Sequence, residues 1–238
     1  MKSVVFALVG MFTVAVASAQ KVINDPNIET RKVSGSFHAI RVSNSVDLYL
    51  SQANEEAVAV SATDVESRNR IKTDVVDGVL KIYIDAEHQW WKQNGKKKFR
   101  AYVSVKSIDK LVSSGASDVY VSGVLKGEKL NLELSGASDF KGSVDFTTVD
   151  ANISGASDIE INGKVNKLKV EASGASDFKG FDLTADECDV QASGASDIKI
   201  TVNEIIDAHA SGASDIRYKG NAKIRDIKAS GASSVRRA

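Results

Sequence analysis

The sequence predicts an all-β fold, a right-handed parallel β-helix with coils of about 19 residues. Three observations lead there. The pentapeptide Ser-Gly-Ala-Ser-Asp occurs six times, starting at Ser114, Ser135, Ser154, Ser173, Ser193 and Ser211. A seventh copy starts at Ser230 and ends in Ser234 instead of Asp, and the steps between copies are 21, 19, 19, 20, 18 and 19 residues. A near-constant period of this length marks a solenoid, in which each repeat buries its apolar face only against its neighbours. Second, apolar residues around each copy recur at even spacings, two and six positions apart at Leu132, Leu134 and Phe140 or Val170, Ala172 and Phe178. That is strand spacing, whereas a helix requires three and four. Third, the repeat is too short for a βαβ unit of ~30 residues.

Within a coil, the volumes of inward residues compensate. Phe140 and Phe178 are followed two residues later by Gly142 and Gly180, whereas Ile159 and Ile198 are followed by Ile161 and Ile200. Pairing a large side chain with an absent one keeps a close-packed core at constant volume. The glycine of the pentapeptide fits a positive φ or a close approach between coils. The acids Asp118, Asp139, Asp158, Asp177, Asp197 and Asp215 are expected to stack as a structural ladder at the strand spacing of ~4.8 Å. Like charges so close repel, and two compensations present themselves. Calcium suits a row of carboxylate oxygens. Alternatively, the residues two further on, Tyr120, Lys141, Glu160, Lys179, Lys199 and Arg217, place four bases beside the acids. The basic column favours an internal balance, so no cofactor and no metal are expected.

In chain order, residues 1–19 read as an export signal: Lys2, an apolar run from Val4 to Ala17, and Ala17-Ser18-Ala19 before Gln20. The apolar run is too short for a spanning helix of ~20 residues, and no other stretch is a transmembrane segment. Residues 20–32 are polar, hold the single proline, Pro26, and read as a flexible leader. Residues 33–110 alternate in short strands, with Asp77-Gly78 as a tight turn, and form either irregular first coils or a β cap. Inside this region, residues 86–98 break the pattern. His88, Trp90, Trp91 and Lys92 make this loop the candidate ligand contact, because paired tryptophans beside cations suit a sugar, a peptide or a lipid surface. The alternative is that one or both Trp plug the end of the core. Residues 111–238 carry the repeats, and the whole of 33–238 is expected to be one continuous domain. At the last coil, Arg236 and Arg237 blunt an open edge.

Composition narrows the function. The chain carries 31 Lys and Arg against 31 Asp and Glu, and loss of Lys2 with the signal leaves it one unit negative. A balanced chain of this kind is not expected to bind nucleic acid. Cys188, the single cysteine, falls on an inward position and reads as a small buried hydrophobe. The histidines, His38, His88 and His209, are far apart, and no nucleophile–base pair or metal-ligand spacing appears, so no catalytic residue is assigned. A pair such as Asp158 and Glu160 could support glycoside chemistry, but a regular acid matched by bases reads as structural.

The entry Val33-Ser34-Gly35-Ser36-Phe37-His38-Ala39-Ile40, the strand from Val79 to Ile84 and the run of pentapeptides resemble the head GIN domain family of auto-transporter adhesins from Bacteroidetes-type bacteria. The resemblance covers about residues 31–238. It implies an all-β solenoid on an exported protein, located in the periplasm, on the outer-membrane surface or outside the cell, with no catalytic residues to transfer. No membrane β-barrel follows the repeats before Ala238, so self-transport is not expected. The expected function is that of a non-enzymatic adhesin or envelope protein whose partner is a protein or glycan at the cell envelope. A polysaccharide-binding or polysaccharide-cleaving β-helix is the alternative, and self-association through the ends or flat sides is a further expectation.

Overall fold

Each pentapeptide turns the chain through a corner, and its residues divide the task. The structure, a computed structural model, describes residues 25–85 and 98–238. At Gly136, Gly155 and Gly174 φ is +84°, +80° and +82°, a conformation that glycine adopts without strain. The carbonyl of each accepts the Ala N–H of the following coil, as in Ala156 N to Gly136 O at 2.8 Å and Ala175 N to Gly155 O at 2.8 Å. The second serine is fully buried in every copy from Ser117 to Ser214. Ser176 and Ser214 donate their hydroxyls to the carbonyls of Ser173 and Ser211 at 2.9 and 2.8 Å. Nearer the N-terminus, Ser157 Oγ instead accepts the Ser138 N–H at 3.2 Å. A buried hydroxyl left unmet would cost about 1–3 kcal/mol, and here each of these has a partner.

Between corners run β9 (Val119–Leu134), β10 (Asp139–Ile153), β11 (Asp158–Ala172), β12 (Asp177–Ala192) and β13 (Asp197–Ala210), stacked in that order as parallel neighbours. Register carries Asp139 onto Asp158 and Phe140 onto Ile159. Phe140, Gly142, Val144 and Phe146 point inward, as do Val149, Ala151 and Ile153 after a slip in the alternation. The volume pairing is direct: a Cβ on Gly180 would meet the Phe178 ring at 2.5 Å, and one on Gly127 would meet Phe146 of the next coil at 2.7 Å. Steps that differ from 19 residues are absorbed by register shifts away from the pentapeptide, as between Gly180 and Thr184.

The region before the repeats joins the same solenoid, of about seven turns. β2 (Ala39–Val42) pairs in parallel with β8 (Lys110–Ser113), and β3 (Val46–Gln52) with the start of β9, so residues 39–52 form a coil. On its far side lie β6 (Val79–Ile84) against β2 and β7 (Phe99–Val105) against β3, again parallel. Stacking order therefore differs from chain order. The intervening β4 (Ala57–Ala62), α1 (Val65–Asn69) and β5 (Ile71–Val76) close this end, with β4 antiparallel to β7 and β5 antiparallel to β6. The region is thus both first coils and cap.

The expectation of a flexible leader over 20–32 does not hold for its described half. β1 (Glu29–Arg31) pairs antiparallel with β4. The reason is charge: Glu29 bonds both Arg31 and Arg68, at 2.8 and 2.7 Å, and the Tyr102 hydroxyl donates to Asp25 at 3.2 Å. At the other end, β14 (Asp215–Lys219) and β15 (Lys223–Ala229) pair with β13, and β16 (Ser234–Arg237) pairs with β14. One apolar column runs through the molecule and includes Cys188, whose thiol pKa burial pushes well above its ordinary range. Residues 1–19, expected to be an export signal, and residues 86–97 of the expected loop lie outside the described residues.

Candidate functional site

Before the second to sixth pentapeptides the residues one and three positions earlier point inward and the residue between them points out, whereas Val112, before the first, is itself buried. Register stacks these outward residues into a column that begins at Arg41 and Val112 and continues through Glu133, Asn152, Glu171 and Gln191. It ends at His209 and Lys228. Opposite stand the first serines of the pentapeptides, from Ser114 to Ser230, on corners whose Gly and Ala are exposed over most of their length. Between column and corner lies a groove of about 750 Å³, with Leu134, Ile153, Ala172, Ala192 and Ala210 along its base. At the strand spacing of ~4.8 Å, eight stacked side chains give it a length of about 34 Å.

Charges in the groove wall are matched sideways. Lys110 bonds Glu133 at 2.6 Å, and Lys169 bonds Glu171 at 2.6 Å, which raises the lysine's pKa. His209 Nε2 lies 3.0 Å from Asp226, which also bonds Lys228. The Asn152 amide donates to Asp150 at 3.1 Å. Arg41 has no ion-pair partner among the described residues.

On the other side of the corner, the aspartates stack in register from Asp139 to Asp215, with Ser234 as the last member. Asp118 precedes them and accepts the Asp139 N–H at 3.2 Å. Sequence reading missed one acid. Leu48 pairs with Val119, so Asp47 extends the column beyond Asp118, and Arg100 pairs with Asp47 in turn. The signal was present: Ser43-Asn44-Ser45-Val46-Asp47 keeps the Ser-to-Asp distance of the pentapeptide, with Asn44 at φ +62° in the place of glycine. Asparagine is among the few residues that tolerate this conformation. Burial first, and then Asp118, raises the Asp47 pKa; burial, then Asp118 and Asp158, raises that of Asp139.

The neighbouring column opens with three stacked tyrosines, Tyr102, Tyr49 and Tyr120, with ring centroids 5.1 and 5.3 Å apart. Bases follow. Lys179 bonds Asp158 at 2.5 Å and Asp177 at 3.5 Å, and Asp215 takes Arg217 and Arg236 at 3.4 and 3.2 Å. Lys141 turns instead to Glu160 at 2.8 Å. The pair Asp158 and Glu160 is therefore held by two lysines. Among the described residues no group of three or more His, Cys, Asp and Glu is placed to hold a metal ion, and no helix is long and apolar enough to cross a membrane.

His88, Trp90, Trp91 and Lys92 lie outside the described residues. The described residues that flank them are the end of β6 and the start of β7. His38 bonds Asp109 at 2.9 Å near the Asp77-Gly78 turn, away from the groove.

Comparison with known proteins gives a consistent picture. The family model described as "Putative auto-transporter adhesin, head GIN domain" matches residues 36–222. A structure described as a putative adhesin from Bacteroides fragilis shares the fold with a TM-score of 0.80 at 18% identity, covering 89% of this chain and 96% of that one. A putative lipid binding protein from Parabacteroides distasonis has a TM-score of 0.67 at 21% identity, with 89% and 97% covered. A putative adhesin from Parabacteroides merdae gives 0.69 at 16% identity, with 89% and 96% covered. No curated protein matches this chain.

Proposed function

From the premise that this chain belongs to the head GIN domain family, we propose that it is an exported, non-enzymatic adhesin-type protein that holds an extended partner in its axial groove. The groove carries this reading. It is continuous over eight stacked side chains, and its wall varies in chemistry while the corner opposite repeats the same serine. A surface built this way makes many weak, similar contacts with a long partner rather than one deep contact with a small one. The adhesin names of the family and of two structural relatives support the same role. Residues 1–19 supply the export signal, and Trp90 and Trp91 offer a second contact surface. The aspartate column is structural and takes no cation, since Lys179, Arg217 and Arg236 already lie on it. Its acids likewise serve the fold rather than hydrolysis, because Asp158 and Glu160 are each held by a lysine.

The test is surface binding. Fluorescently labelled protein is titrated onto bacterial cells and onto cultured epithelial cells, beside the variant carrying Asn152→Leu and Gln191→Leu. Both positions are exposed, so the fold tolerates the change. Saturable binding that the double variant loses, with its thermal midpoint unchanged, is the expected result. Absence of binding to every surface, or equal binding by the variant, refutes the proposal.

A further inference from the structure

We infer that the groove takes a linear, uncharged polysaccharide laid along the solenoid axis, with about one sugar ring per coil. This names the ligand class for the adhesin reading of the same groove and rests on it. The first ground is spacing. The groove presents a serine and an outward side chain at every coil, ~4.8 Å apart. A pyranose ring and its bridging oxygen, built from single bonds of about 1.5 Å, advance an extended glycan by about 5 Å, so successive rings stay in register. An extended polypeptide repeats its side chains on one face every ~6.7 Å and falls out of step by nearly 2 Å per coil.

The second ground is the pairing state of the backbone. From β9 to β13 every strand beside the groove has a hydrogen-bonded neighbour on both sides. No open edge runs along it, which removes the route by which a peptide adds as a strand. The third is charge and chemistry. Glu133 and Glu171 are matched by Lys110 and Lys169, so the central groove has little net field to attract a charged polymer. What remains is a row of hydroxyls, of which those of Ser154 and Ser173 donate to the Leu134 and Ile153 carbonyls at 3.4 Å and keep their acceptor capacity, with the amides of Asn152 and Gln191, which both donate and accept. A lipid tail would need an apolar wall, and apart from Val112 the groove's apolar residues lie at its base; all of them are almost fully buried.

The experiment is calorimetric titration of the full chain with linear β-linked gluco-, manno- and xylo-oligosaccharides from disaccharide to octasaccharide. Phosphatidylcholine vesicles and an uncharged peptide of similar length serve as the other arms. At least one glycan series should bind, with affinity rising about tenfold or more from trisaccharide to heptasaccharide as further hydrogen bonds form, and levelling beyond the groove's length. Asn152→Leu with Gln191→Leu should weaken the heptasaccharide by about tenfold or more without moving the thermal midpoint. Binding of no glycan in the panel, an affinity independent of length, or binding of vesicles or peptide in their place overturns the inference. If labelled protein still binds cells through Asn152 and Gln191 after glycosidase treatment, the glycan fails while the adhesin reading stands. If glycans bind with the expected length dependence but no cell surface does, the adhesin reading fails and the ligand class stands.

Discussion

Gly155→Ala isolates the force that sets the distance between coils. Two costs act at this position. The residue has φ +80°, which an L side chain adopts at a cost of about 1–2 kcal/mol. In addition, a Cβ would lie 2.5 Å from the Gly136 carbonyl oxygen and 3.0 Å from its nitrogen. These are backbone atoms within the corner ladder, so they cannot rotate away, and overpacking of this kind adds about 1–3 kcal/mol. The sum is about 2–5 kcal/mol. Gly35 provides the control. It has φ +89°, but the nearest atom to its added Cβ is Val75 Cγ1 at 4.0 Å, so Gly35→Ala carries the conformational cost alone, about 1–2 kcal/mol. For a chain of this size 1 kcal/mol moves the thermal midpoint by about 2–4 °C. Thermal and urea unfolding followed by far-ultraviolet circular dichroism should show Gly155→Ala shifted well below Gly35→Ala. Equal losses in the two variants would mean that close approach of the corners contributes nothing beyond backbone conformation, and the account of the pentapeptide given above would be wrong.

Four further outcomes follow from the charges and the core. The Asp47 carboxyl is raised, so the fold prefers it protonated and its ionised form weakens the fold above the ordinary carboxylate range; Asp47→Asn should raise the thermal midpoint at neutral pH, and the gain should vanish in acid. Asp215 is lowered, chiefly by the Ser234 hydroxyl and then by Arg236 and Arg217, so its contribution is present at neutral pH and lost as pH falls through its folded value; Asp215→Asn should lower the midpoint at neutral pH and not in acid. Burial, with Asp25 and Asp118 next in importance, pushes Tyr102 and Tyr120 up to about 12, so ultraviolet titration should find two phenols ionising there, and the stability they lend should disappear as pH rises from the ordinary tyrosine range to that value. The Cys188 thiol, 3% exposed, should react with an aromatic disulfide reagent only as the protein unfolds, and reaction at the rate of a free thiol in the native state would contradict its place in the core.

The coil was legible in the sequence because its corner demands particular residues. Glycine at a positive φ, with a neighbouring coil where its side chain would be, cannot be exchanged, and so it recurs at the coil period. The strands were legible for the ordinary reason that inward and outward residues alternate. Where the corner is built differently, the signal weakened. Residues 43–47 turn the same corner with asparagine in place of glycine, and Asp47 therefore passed unread as a member of the acidic column. Stacking order was hidden for another reason. That β6 and β7 lie outside residues 39–52 depends on pairings between segments far apart in the chain, and alternation within each strand is the same in either order. The strand at Glu29–Arg31 was hidden because its attachment comes from Arg68 and β4 rather than from any apolar pattern of its own. The groove was hidden too. It arises because corners project beside a column of outward side chains, and neither feature alone marks a site.

The same constraints indicate where specificity can reside. Inward positions are fixed by volume, as the Phe178 and Gly180 pair shows, and corner positions by backbone approach and buried hydroxyls. The aspartate column is fixed by what its carboxylates hold: Asp118 accepts the Asp139 N–H, Asp158 takes Lys179, and Asp215 accepts the Ser234 hydroxyl. Among the positions around the pentapeptide, that leaves the outward column of the groove comparatively free of such demands. There the sequence indeed departs from repetition: Val112, Glu133, Asn152, Glu171, Gln191, His209 and Lys228 occupy equivalent places and, the two glutamates apart, differ in size or charge. A fold that accommodates all of these at one position does not depend on that position for its stability. Exchanging residues within this column, for example Asn152 with Gln191, should leave the thermal midpoint where it was and change only what binds. Substitutions that shift stability as strongly as Gly155→Ala would show instead that the column belongs to the scaffold.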